Sequence, residues 1–337
     1  MNKKVREHLE TVTTFPHTLK HHSTRKCERH ELDVPYSFMY QNKTVSQRKC
    51  YEYMYKLHER QQESDCKRKV HIIRGQKTQR TEYPHMGALG WLSVDNSWEF
   101  LCGSSLISER FVLTAAHCTE INNSARRLKS SQPQIVRLGV VNIYDRGHRD
   151  FNIKSIIRHP KYKSPIKYYD IALIKLETSV TFNRYISPAC LWSENYGDME
   201  NQNFTITGWG STENKTFSPN LLYATVDNFG SNCNNIPINR HWNGSSDHQL
   251  CAGKLDGSVD TCHGDSGGPI QFKLFHTKKE GTLNMIIGIT SFGAQSCAQN
   301  NTPGVYTKVS SFIPWIEKNV WPDEDNMYSS QIVFPKD

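Results

Sequence analysis

From about residue 72 the chain is a series of short apolar segments separated by turn residues, and this rhythm constrains its fold more than any other feature. The segments are Phe111–Thr114, Gln134–Val140, Phe151–Ile157, Ile171–Leu176, Phe204–Thr207, Leu221–Val226, Met285–Thr290 and Val305–Lys308. Many short strands at such intervals predict an all-β barrel or sandwich. Only Ser310–Val320, close to the end, reads clearly as a helix. Residues 1–71 have another texture, with 15 Lys/Arg against 9 Asp/Glu and few branched apolar residues. One helical stripe stands out there, with Cys50, Tyr53, Met54 and Leu57 at helix-face spacing. The remaining 266 residues are nearly balanced, 26 basic against 24 acidic. A basic leader beside a near-neutral body predicts two units, and the leader's charge reads as a solvated face before it reads as a polyanion-binding surface. No nucleic-acid partner is expected.

Ten cysteines in 337 residues predict disulfides, which persist in oxidising compartments. Met1–Lys20 is polar and carries no apolar core of a secretory signal. The cysteines outweigh that observation, so secretion is expected, with the true start upstream of Met1 or trimmed away. No run of 18 apolar residues exists, so no membrane-spanning helix is expected.

The chemistry centres on Ser266, within Gly264-Asp265-Ser266-Gly267-Gly268-Pro269. A serine hydroxyl is a weak nucleophile that needs a neighbouring base and donors aimed at the oxyanion it creates. The flanking glycines permit a tight turn, which lets the amides of Gly264 and Ser266 point into one pocket. An ordinary glycine-rich turn would look the same in isolation. Two further segments change the weight. Thr114-Ala115-Ala116-His117-Cys118 puts a histidine at the end of an apolar strand, and Asp170-Ile171-Ala172-Leu173 puts a carboxylate at the start of one. An aspartate there would sit half buried and need a partner. The N–H of His117 would satisfy it and fix the tautomer that leaves the other ring nitrogen free for the Ser266 proton.

These segments, with Ile72-Ile73, Gly208-Trp209-Gly210 and Pro303-Gly304-Val305-Tyr306, make residues Ile72 to about Trp321 resemble the chymotrypsin-type serine protease family. The resemblance implies two antiparallel six-stranded β-barrels with the active site between them, a C-terminal helix and a poorly structured pro-segment. The units would be a pro-segment at 1–71, a protease domain at 72–321 and an extension at 322–337. Asp260 matches the base of the primary specificity pocket, with Gly293 and Gly304 on its walls. A buried anion there would select Lys or Arg, because a neutral side chain leaves it unpaired. Cleavage before Ile72 would free an amine that pairs with Asp265 and shapes the oxyanion hole. The residue before that bond is His71, where the family usually has Arg or Lys, so inefficient self-activation and an upstream activating protease are expected.

The resemblance also pairs Cys102 with Cys118, Cys233 with Cys251 and Cys262 with Cys297. Cys190 matches a position that tethers the pro-segment in some members. Cys66 is its nearest candidate partner, leaving Cys27 with Cys50; Cys50 with Cys190 is the alternative. A tethered leader resembles arthropod clip-domain and snake-like extracellular cascade proteases, although the leader lacks the six cysteines of an intact clip. Protein substrates with exposed Arg or Lys, serpin-type inhibitors and a monomeric state are implied. A digestive trypsin and a non-catalytic homologue acting as a binding protein are the competing readings. The chain departs from the family pattern at Arg74, Ser104 and Phe292. Val140 and Val141 stand where some relatives have calcium-binding acids, so no calcium is expected there. No cofactor is expected, and His21, His22, Cys27 and His30 do not make a convincing zinc set. N-glycosylation sequons occur at Asn42, Asn122, Asn203, Asn214, Asn243 and Asn300.

Overall fold

The computed structural model describes residues 43–66, 80–121, 127–193, 203–210, 218–233, 236–254, 265–293 and 303–324. Its first half is a closed antiparallel barrel. The strands are β1 (Met86–Leu92), β2 (Trp98–Leu106), β3 (Phe111–Thr114), β4 (Ile135–Leu138), β5 (Arg149–Arg158) and β6 (Ala172–Leu176), in spatial order β1-β2-β3-β6-β5-β4. Pairing of Gly87 with Leu138 and of Gly90 with Ile135 closes it. β1 was not apparent as a strand because Gly87 and Gly90 break its apolar pattern. Both glycines are sterically required: a Cβ on Gly87 would come within 2.7 Å of Ser104 Oγ, and one on Gly90 within 2.7 Å of Ile135. Ser104 is accommodated the same way, donating its hydroxyl to the Gly87 carbonyl at 3.1 Å.

The second half contains β7 (Cys190–Leu191), β8 (Asn203–Gly208), β9 (Leu222–Asn228), β10 (Gln249–Gly253), β11 (Pro269–Thr277), β12 (Gly281–Phe292) and β13 (Gly304–Lys308). Strands β11-β8-β9-β10-β13-β12 run in that order, and β12 pairs again with β11, so six antiparallel strands form a ring. β7 is an addition, a two-residue parallel strand on β12. The 12-residue β12 is buried along nearly its whole length and is the spine of this half. The helix α2 (Ile313–Val320) closes the domain, burying Ile313, Ile316 and Val320 against the first barrel's core.

Within the leader, the helical stripe expected around Cys50–Leu57 is packed against the body. Residues Val45–Cys66 form a 22-residue helix, α1. Thr44 and Gln47 start it reciprocally, the Thr44 N–H bonding Gln47 Oε1 at 3.0 Å and the Gln47 N–H reaching Thr44 Oγ1 at 3.4 Å. Cys50, Tyr53 and Leu57, from the stripe visible in sequence, are buried in the second barrel's cluster. Polar contacts reinforce the seat. Tyr53 Oη donates to the Ile107 carbonyl at 3.0 Å, Gln47 Nε2 to Ser193 Oγ at 2.8 Å, and the Ser46 N–H to Glu317 at 2.7 Å. Among the described residues, no helix is long and apolar enough to cross a membrane.

Candidate active site

β3 and β6 are antiparallel neighbours, with Thr114 opposite Ala172. His117 lies in the short 3₁₀ turn Ala116–Thr119 just after β3, and Asp170 lies just before β6, so the pairing sets the two side by side. Asp170 Oδ2 is 2.8 Å from His117 Nδ1, and Oδ1 accepts the His117 backbone N–H at 2.9 Å. The second barrel completes the cage. Ser291 Oγ, near the end of β12, donates to Asp170 Oδ2 at 2.5 Å, and Thr307 Oγ1, on β13, donates to the Asp170 carbonyl at 2.9 Å. Asp170 is only 1% exposed, deeper than the half burial expected, because it sits on the seam between the barrels. Burial alone would raise its pKa. The charge of His117 and the hydrogen bonds from His117 and Ser291 outweigh burial and hold the carboxyl below its ordinary 3.8. An anionic Asp170 keeps the proton on Nδ1 and leaves Nε2 as the basic nitrogen.

Ser266 occupies a tight turn ahead of β11, closed by the Gly268 N–H on the Asp265 carbonyl at 2.9 Å. Its own carbonyl accepts the Gly103 N–H of β2 at 2.8 Å, and the Gly103 carbonyl accepts Thr114 Oγ1 at 2.8 Å. Gly267 has φ +76°, and a Cβ there would collide with Thr114 Oγ1 and the Gly103 carbonyl and stand 3.1 Å from Cys118 Sγ. The serine turn is thereby pressed against the residue that follows His117. Nε2 of His117 lies 3.6 Å from Cys118 Sγ. A hydrogen bond between His117 and Ser266 Oγ is not among those of the described residues; such contacts often tighten only with substrate bound.

Asp265 has a close cradle. Its Oδ1 accepts the Gly210 N–H at 3.0 Å, and a Cβ on Gly208 or Gly210 would strike its carboxylate. That explains both glycines of the Gly208-Trp209-Gly210 motif. The family model described as Trypsin matches residues 72–316.

This chain belongs to the trypsin family.

Among curated trypsin-family relatives, serine protease snk of Drosophila melanogaster is 39% identical over 257 residues, covering 73% of this chain and 56% of its own. The chain thus spans little more than half the length of that relative. Clotting factor G beta subunit of Tachypleus tridentatus is 34% identical over 233 residues, 66% of this chain and 72% of its own. Among solved structures, neuropsin, a serine protease expressed in the limbic system of mouse brain, aligns with a TM-score of 0.57 at 29% identity. It covers 73% of this chain and 99% of its own. The two-barrel architecture and the trypsin-like serine endopeptidase family are therefore common ground.

Three disulfides are described. Cys102–Cys118 links β2 to the turn that carries His117, and Cys233–Cys251 pins the loop after β9 to β10. The third corrects the leading expectation for the leader: Cys50, not Cys66, bonds Cys190. Helix geometry is the reason, since Cys50 shares the buried face with Tyr53 and Leu57, one and two turns on. Cys27, Cys262 and Cys297 lie outside the described residues, as does the side chain of Cys66. So do Asp260, Gly264, His71, Ile72, Arg74, His21, His22 and His30. Gly293 follows β12 and Gly304 opens β13, whose adjoining residues Phe292 and Val305 are paired. Cys102, His117 and Cys118 bring ligand-type atoms within 4.8 Å of one another, but the disulfide consumes both sulfurs. Val140, on the segment expected to be free of calcium, packs with Met86, Ile143 and Trp209. Of the sequons, Asn243 is exposed and Asn203 opens β8, while Asn42, Asn122, Asn214 and Asn300 lie outside the described residues.

Sequence reasoning missed Ser291, Thr307 and Tyr169. Ser291 was one residue from Phe292 and was findable from the need of a buried carboxylate for further donors. Tyr169, immediately before Asp170, has φ +55°, and its ring stacks between His159 (5.3 Å) and His248 (4.2 Å). A left-handed tyrosine is costly backbone, kept by its packing. No local signal marks it.

Proposed function

We propose that the protein is a secreted endopeptidase zymogen of an extracellular cascade, cleaving protein substrates after Arg or Lys. The observation that carries this reading is the hydrogen-bonded Asp170–His117 pair on the barrel seam, beside the Ser266 turn. His117 Nε2 takes the Ser266 hydroxyl proton as Oγ attacks the scissile carbonyl, and the oxyanion is held by the amides of Gly264 and Ser266. Collapse expels the amine, which takes that proton from His117, and leaves an acyl-enzyme. Water then repeats the sequence, releasing the acid and restoring Ser266. Asp260 supplies the anion that receives Arg or Lys, and Gly293 and Gly304 leave room for it. The matching relatives include a clotting factor subunit by name, which supports a cascade setting.

Activation follows from cleavage between His71 and Ile72, with the new amine meeting Asp265. A pocket built for Arg or Lys serves poorly on His71, so a protease of different preference starts the process. The test is hydrolysis of an arginine-ending chromogenic peptide by the intact protein, by protein cleaved at His71–Ile72, and by cleaved Ser266→Ala. Activity only after cleavage, abolished in Ser266→Ala, is the expected result. Spontaneous appearance of an Ile72 terminus in the purified zymogen would remove the upstream activator. Inactivity with a verified Ile72 terminus would favour the non-catalytic homologue.

A further inference from the structure

The loop between β9 and β10 sets an exposed apolar tip beside an unengaged side-chain amide. Asn239 and Trp242 form an isolated antiparallel bridge, the Asn239 N–H bonding the Trp242 carbonyl at 2.9 Å and the Trp242 N–H returning to the Asn239 carbonyl at 3.1 Å. Arg240 and His241 make the two-residue turn between them. One step outward, Ile238 stands opposite Asn243. In such a ribbon that pair is not hydrogen-bonded, and its side chains share one side, about 5 Å apart at Cβ. Trp242 is buried on the other side, so Ile238 and Asn243 point to solvent. Ile238 is 67% exposed, and Pro237 and Asn243 are exposed with it. Asn243-Gly244-Ser245 is an N-glycosylation sequon. Gly244 has φ +99°, and a Cβ built on it would meet nothing within 4 Å, so the space around the asparagine is open. The backbone beneath is fixed. The Asn243 N–H donates to Tyr168 Oη at 2.8 Å, Tyr168 Oη donates to the Gly244 carbonyl at 2.9 Å, and Ser245 Oγ donates to the Ser231 carbonyl at 3.0 Å. The side-chain amide of Asn243 makes no hydrogen bond among the described residues, whereas Asn203, the other described sequon asparagine, is paired with Asp227 in the sheet.

We propose that Asn243 carries an N-linked glycan whose first N-acetylglucosamine rests on Ile238. The inference rests on the extracellular setting proposed above, and not on the peptidase chemistry. The donor is a lipid pyrophosphate-linked oligosaccharide of the secretory pathway. Asn243 Nδ2 attacks its anomeric carbon, the N–C bond forms as the bond from that carbon to the pyrophosphate oxygen breaks, and one amide proton passes to the base of the transferase. An acceptor on an open turn suits that step, because a bulky adduct there displaces nothing. Ile238 then gives the first sugar a place to lie. The apolar face of the ring covers the isoleucine, and water leaves both surfaces. The sugar becomes part of the surface of a loop that Tyr168 ties to the segment two residues ahead of Asp170.

The test uses the full chain, directed by an added signal into the secretory pathway of cells held to high-mannose glycans. Release of the glycans with peptide N-glycosidase in heavy-oxygen water marks each occupied asparagine by mass as a labelled aspartate. Label on most copies of the Asn243 peptide is expected, and an unlabelled Asn243 would overturn the proposal. The seat is tested on protein trimmed with endoglycosidase H, which leaves only the first N-acetylglucosamine. Trimmed parent should melt about 2–4 °C above trimmed Asn243→Gln, the shift that a modest contact gives in a domain of this size. Ser245→Thr, which preserves the sequon, should match the parent. In an Ile238→Ser background, Asn243→Gln should no longer lower the melting temperature. No gap in the parent background, or an equal gap in the Ile238→Ser background, would overturn the seat on Ile238. Neither readout needs catalysis. Failure to hydrolyse the arginine peptide would therefore strike the peptidase reading and leave the glycan standing, whereas an active enzyme with a bare Asn243 would strike the glycan alone.

Discussion

Three donors converge on the Asp170 carboxylate: the His117 ring, the His117 backbone and the Ser291 hydroxyl. Each favours the anion in a place where burial opposes it, so the loss of one is felt by the imidazole it orients. Ser291→Ala removes a hydrogen bond to a charged group, a contribution of about 1.5–3 kcal/mol. We expect kcat on the arginine peptide to fall about tenfold with KM little changed; an unaltered kcat would mean that Ser291 only fills space. His85 is the second residue whose surroundings have a measurable consequence. It is fully buried before β1, with Gln271 as a polar neighbour but no hydrogen bond to either ring nitrogen, and burial pushes its pKa from 6.5 down to about 3. The unfolded chain takes up this proton near pH 6.5 and the folded chain only near pH 3. Stability from the neutral ring is thus complete above pH 6.5 and drains away as pH falls toward 3. Between pH 7 and pH 4.5 the parent should lose about 2–3 kcal/mol more in urea unfolding than His85→Phe. Equal losses would show that His85 does not govern the acid limb.

At the scale of elements, α1 behaves as part of the protease body although its sequence belongs to the leader. Its stripe was legible because spacings of three and four residues are readable one helix at a time. Its disulfide partner was not, because the nearer Cys66 and the correct Cys50 differ only in the face they occupy. The strand pattern was read where apolar residues dominate, as in β3, β6 and β13. It was missed where glycine or glutamine serves a neighbour: Gly87 and Gly90 in β1, and Gln271, whose amide donates to Thr207 Oγ1 at 2.9 Å, in β11. The helix's attachment gives a simple prediction. Protein cut at His71–Ile72 should migrate as one species on a non-reducing gel and as two after reduction, and Cys50→Ser should give two species without reductant. Two bands from unreduced parent protein would refute the Cys50–Cys190 tether.

Across the whole molecule, the candidate site belongs to neither barrel. His117 and Asp170 come from the first, and Ser266, Ser291 and Thr307 from the second. Sequence motifs pointed to His117, Asp170 and Ser266 as candidate reacting groups because each proposed role needs a particular side chain. The seam that buries Asp170 escaped notice because it is made by β12 and β13 arriving from more than a hundred residues away. The Cys50–Cys190 bond has its own bearing on this geometry. Cys190 pairs with β12 at Met285, six residues before Ser291 and about 20 Å along the strand from the catalytic seam. The bond therefore ties α1 to the protease body at a point well away from the candidate catalytic groups. Cutting the chain once between α1 and the first barrel would create a passenger, not a discarded fragment.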